Sequence, residues 1–128
     1  MVGYTMDELR DALGPIASLL SKSEKAQQRV APGTWQHTML ANNVHALRIA
    51  SSLMKNAAYG GDPIMEGDLL PALRACASMI ERSTKAQPKF SPGTSQNTLL
   101  RNRIKALTIA ETLIKAALDR ATVQKLQF

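Results

Sequence analysis

The residues of this chain that could do chemistry are few: His37, His45, Cys76 and a concentration of lysines and arginines. His37 and His45 stand eight residues apart, whereas two histidines that share a metal from one helix need a spacing of three or four and further ligands. No Glu-x-x-His pair occurs, which argues against a carboxylate-bridged di-iron bundle. There is no Gly-x-x-x-x-Gly-Lys loop and no dinucleotide fingerprint. His45, with Arg48 three residues on, loosely meets what a phosphotransfer histidine requires. An enzyme would need His37 or His45 in a cleft beside a carboxylate. The residues therefore lean against catalysis, and no catalytic residue, metal or cofactor is expected. Cys76 is the one cysteine, so no intrachain disulfide can form; on an apolar helical face it reads as a small buried hydrophobe.

The basic residues are unevenly placed. Residues 22–45 carry Lys22, Lys25 and Arg29 against Glu24, a sum of +2, and residues 82–105 carry Arg82, Lys85, Lys89, Arg101, Arg103 and Lys105 with no acid, a sum of +6. That leaves −2 for the rest of a chain whose formal charge is +6. Cations near the ends of helices complement the helix dipole, which accounts for Lys25, Arg29, Lys85 and Lys89. It does not account for Arg101, Arg103 and Lys105, which fall in the first third of a helix. Lys25, Arg29, Thr34, Gln36, Lys85, Lys89, Thr94, Gln96, Arg101 and Arg103 thus form a candidate anion site at two helix N-termini, suited to a phosphorylated ligand or a nucleic-acid backbone. The competing reading is a solvated basic face. Nucleic-acid recognition lacks its usual companions: there is no helix-turn-helix, and Trp35 has no repeated aromatic partner to build a stacking platform.

The elements that position these residues follow from an internal repeat. Residues 9–57 align with 69–117 at an offset of 60 without gaps, and 23 of the 49 positions are identical. A period of this length suggests a duplicated helical hairpin. Thr5-Met6-Asp7-Glu8 has the form of a capping box, and the apolar spacing that follows predicts a first helix ending near Arg29, with a kink or break at Gly14-Pro15. Pro32-Gly33-Thr34 predicts a turn and a cap before a second helix that ends at Gly60-Gly61. Asp62-Pro63 would cap and open the approach to a third helix, regular from about Asp68 and stopped by Pro88; a fourth begins at Thr94 and runs through Leu118. The expected fold is all-α, an up-down-up-down four-helix bundle of two hairpins related by a pseudo-two-fold, with residues 1–128 as a single domain. In that bundle both Pro-Gly-Thr loops lie at the basic end, and Asp7, Glu8, Asp11, Asp62, Glu66 and Asp68 lie at the other.

Polar residues that match across the repeat ask for more than packing. Among them, Asn42 and Asn102 are expected at the edge of the apolar arcs, joined across the pseudo-axis or lining a ligand pocket; Gln36 and Gln96 are expected to bridge to the neighbouring loop. Trp35, whose counterpart is Ser95, would cover the end of the core or form an oligomer contact. Aromatics are only 4% of the chain, which favours close-packed helices over a β-sandwich. No apolar run is long enough to span a membrane, and no signal peptide opens the chain, so a cytoplasmic location is the default. The wide apolar arcs of the second and fourth helices point to a non-enzymatic module that binds a protein partner or forms a homo-oligomer. Anion binding at the basic end is the alternative.

Overall fold

The computed structural model describes residues 3–59 and 66–126. Among these there are four long helices and no strand: α1 (Met6–Arg29), α2 (Trp35–Tyr59), α3 (Leu69–Ala86) and α4 (Ser95–Leu126). Single 3-10 turns at Glu66–Asp68 and Gln87–Lys89 flank α3. The arrangement is consistent with a helical bundle. The glycines and Asp62-Pro63 expected to close α2 and open the next helix lie outside the described residues.

Local chemistry sets most of the boundaries. The capping box at α1 is complete: Thr5 Oγ1 accepts the Glu8 amide and Glu8 Oε1 accepts the Thr5 amide, both at 3.1 Å. Of the kink or break expected there, the break does not occur: α1 is continuous through Gly14 and Pro15. Proline leaves one carbonyl, that of Asp11, without its helical donor; Asp11 is exposed, so water can serve that carbonyl, and packing on either side keeps the helix intact. Pro71 falls in the first turn of α3, where the missing amide would have had no partner.

The two interhelix turns are built alike. Thr34 donates its hydroxyl to the Ala31 carbonyl at 2.7 Å and caps the His37 amide at 3.3 Å. Thr94 does the same to Ser91 and Asn97, at 2.8 and 3.2 Å. Gly33 and Gly93 both sit at φ 88°, in the left-handed region that other residues adopt only with strain.

A buried cluster draws on all four helices: Leu9 and Ile16 from α1, Leu47 and Met54 from α2, Leu69 and Cys76 from α3, Leu107 and Ile114 from α4. Full burial of each large side chain contributes on the order of 2 kcal/mol. Between them lie Ala46 and Ala50 on α2 and Ala106 and Ala110 on α4, none more than 2% exposed. Both α2 and α4 touch the other three helices. Their wide apolar arcs are therefore satisfied within one chain and do not in themselves demand a partner.

Gly33→Ala and Gly93→Ala test the turns. No atom lies within 4 Å of a Cβ added at either position, so only backbone strain should act, and each change is expected to lower unfolding free energy by about 1–2 kcal/mol in urea titration. A neutral effect would mean that the turns relax freely.

Candidate functional site

Two grooves run between the hairpins. One, of about 750 Å³, lies between α2 and α3 and is lined in part by Trp35, Met39, Asn42, Asn43, Arg74 and Ser78. The other, of about 400 Å³, lies between α1 and α4 and is lined in part by Glu8, Asp11, Pro15, Asn102, Lys105 and Ile109. Asn42 and Asn102, matched in the repeat, each line one groove. Both are exposed, so neither occupies the half-buried edge expected of them. The buried asparagine is instead its neighbour, Asn43.

The ten residues of the candidate anion site are not gathered into either groove, except that Thr34 lines the α2/α3 groove. Thr34 and Thr94 spend their hydroxyls on the turns just described. Gln36 and Gln96 are exposed, and Gln96 accepts the hydroxyl of its neighbour Ser95 at 3.3 Å rather than bridging to the other loop. Asn97 instead ties the start of α4 to the turn of its own hairpin: its Nδ2 donates to the Phe90 carbonyl at 2.9 Å and to the Gln87 carbonyl at 3.4 Å, while Gln87 Nε2 approaches its Oδ1 at 3.5 Å. Its repeat partner is His37, so the mismatch hid this role in the sequence.

Lys25, Arg29, Lys89 and Arg101 are exposed. Lys85 is held by Glu81 at 2.9 Å, an acid one residue outside the basic window. The Lys85 hydrogen bond and charge keep the Glu81 carboxyl below its usual range, although so exposed a pair adds little stability. Arg103 differs from the rest. It is half-buried, loss of hydration lowers its guanidinium pKa, and among the described residues no acid pairs with it.

His45 does meet a carboxylate: its Nε2 lies 3.4 Å from Asp68 Oδ1. Both side chains are about half exposed, and the pair lines neither of these two grooves. Its repeat counterpart, Lys105 with Glu8, lines the α1/α4 groove. Among the described residues no three His, Cys, Asp or Glu side chains cluster in a way that could hold a metal ion. No helix among them is long and apolar enough to cross a membrane.

Trp35 is 71% exposed. It does not cover the end of the core; it stands at the mouth of the α2/α3 groove with Met39 beside it. Arg82 reaches across from α3, its Nη1 2.7 Å from Met39 Sδ. No protein family, no curated protein and no solved structure matches this chain.

The Cys76 thiol is pushed up to about 12, first by burial and then by the negative charge of Glu111. A thiol with that pKa stays neutral and unreactive at neutral or mildly alkaline pH. Native protein at pH 8 should therefore resist a thiol-exchange reagent such as DTNB and react only as fast as it unfolds. Rapid stoichiometric labelling of the folded chain would contradict this.

Proposed function

We propose that this chain is a non-enzymatic helical module that acts by contact, assembling with itself or with a protein partner. The observation that carries the reading is Trp35: the one tryptophan of the chain stands 71% exposed at a groove mouth. Tryptophan is the residue type most enriched among interface hot spots, and an exposed indole beside Met39 is a poor arrangement for a surface meant to face water alone. The free Cys76 thiol fits the reducing cytoplasm as the setting.

The same reading includes the architecture: one domain that runs up-down-up-down, with hairpins 9–57 and 69–117 related by an approximate two-fold. Three observations support it. The Pro-Gly-Thr turns close with the same bonds and the same glycine φ. The solvent stripe of α2, with Asn42, His45 and Lys55 exposed, matches that of α4, with Asn102, Lys105 and Lys115 exposed. The His45 and Asp68 contact corresponds under the repeat to Lys105 and Glu8, which share a groove.

Tryptophan emission and sedimentation velocity test the contact reading together. As concentration rises, the sedimentation coefficient should increase and the emission of Trp35 should shift to the blue as its ring leaves water. A chain that remains monomeric with unchanged emission up to high micromolar concentration contradicts the reading.

A second reading, an anion site at the basic end, is favoured by Arg103, a half-buried cation with no acid beside it among the described residues. Lys25, Arg29, Lys85, Lys89 and Arg101 would supply the surrounding field. Arg101→Ala with Arg103→Ala should weaken binding of polyphosphate or nucleic acid, and salt should weaken it further, because released counterions carry much of such affinity. Unchanged affinity would remove this reading.

A further inference from the structure

The two grooves share only part of their positions under the repeat, Asn42, Pro71 and Ala75 matching Asn102, Asp11 and Pro15, and they differ in charge. At an offset of 60, Asp11 in the α1/α4 groove corresponds to Pro71 in the α2/α3 groove, and Arg74 in the latter corresponds to Gly14. The divergence of the two copies has thus left an acid on one side and a base on the other. Arg74 is the one charged residue lining the α2/α3 groove. Glu8 and Asp11 outnumber Lys105 in the α1/α4 groove. Asp11 and Arg74 are exposed, and neither has a hydrogen bond or ion pair among the described residues. The third divergence is Trp35 against Ser95, which gives a projecting indole to the α2/α3 side alone.

We infer that the α2/α3 edge of one copy docks on the α1/α4 groove of a second copy, Trp35 entering the groove over Pro15 and Ile109 and Arg74 meeting Asp11. This rests on the contact reading proposed above and names its partner. Ala12, Pro15, Ala106 and Ile109 give the receiving groove an apolar floor, and its carboxylates offer acceptors to the indole N–H at the rim. A symmetric contact would use one self-complementary patch, whereas here the indole and the cation lie on one edge and the carboxylates and apolar floor lie in the other groove. The contact is instead heterologous: every copy offers one edge and one groove, so copies join head to tail.

Two variants and their mixture test this. Trp35→Ser installs the residue found at the matching position of the second copy, and Asp11→Arg reverses the charge of the receiving groove. Both positions are exposed, and far-UV circular dichroism checks that each variant stays folded. Each alone should lose self-association on the order of thirtyfold in sedimentation velocity, as expected for a hot-spot change. Mixed one to one, they should associate again and stop at a dimer: the Trp35→Ser copy still has its groove, the Asp11→Arg copy still has its indole, and no second contact can form. Arg74→Glu mixed with Asp11→Arg should restore longer assemblies, because the pair is then reversed in one contact and native in the next. If Asp11→Arg self-associates as the unaltered chain does, or if the first mixture is no stronger than its separate components, the inference is overturned. A chain that does not self-associate before substitution overturns the contact reading itself, which is a different result.

Discussion

Close approach around α2 and α4 is the constraint on which the rest depends. Ala46 and Ala50 stand one turn apart on α2, and Ala106 and Ala110 one turn apart on α4, all at 2% exposure or less. A longer side chain at any of them would force the helices apart or strain its own rotamer. Small residues let α2 and α4 meet the other three helices, while each keeps a stripe in water, with Asn42, His45, Arg48, Ser52 and Lys55 exposed on α2 and Arg101, Asn102, Lys105, Thr108 and Lys115 exposed on α4. The grooves open beside those stripes, and the residues that distinguish the groove linings, Asp11, Trp35 and Arg74, are exposed.

The sequence repeat places an asparagine in each of these two grooves, Asn42 in one and Asn102 in the other, and positions at which its halves differ set the linings apart. Several core positions match or differ conservatively, Leu9 with Leu69, Ala12 with Ala72, Leu47 with Leu107 and Met54 with Ile114, whereas Ile16 corresponds to Cys76. The turns have kept Pro-Gly-Thr because the left-handed glycine and the threonine cap are both needed to reverse the chain. The exposed positions 11, 14 and 35 differ from their counterparts 71, 74 and 95, and these differences make the two faces unlike. A chain with unlike faces has the means to build an open assembly, where one with two equal faces would be drawn to a closed one.

Helix placement was legible because its signals are local. The capping box, the two Pro-Gly-Thr turns and the spacing of leucine, isoleucine and alanine each act within a few residues, and the four helices begin and end close to where those signals put them. Continuity through Pro15 was not legible, since a proline's cost in a helix depends on what packs around it. Nor was the exposure of Asn42, because an angle on one helix does not say how many neighbours cover it. The role of Asn97 lay in a mismatch of the repeat, and comparing the two halves for shared residues passes over such positions. The same habit draws attention to the shared threonines and glutamines of the basic end and away from Asp11, Arg74 and Trp35, whose significance is that their counterparts differ. Arg103 is an intermediate case: its place among cations was visible, while its half-buried state depends on tertiary packing.

The central claim is that unlike grooves on neighbouring copies meet through Trp35. Photocrosslinking reads that contact most directly. A benzophenone amino acid at position 35, in an equal mixture of ¹⁴N and ¹⁵N protein, would give mixed-isotope crosslinked peptides that come only from contacts between copies. The account predicts that these peptides join position 35 to residues 8–15 or 102–109. Mixed-isotope crosslinks that join position 35 to position 35, or none from that position at concentrations where the chain associates, would contradict it.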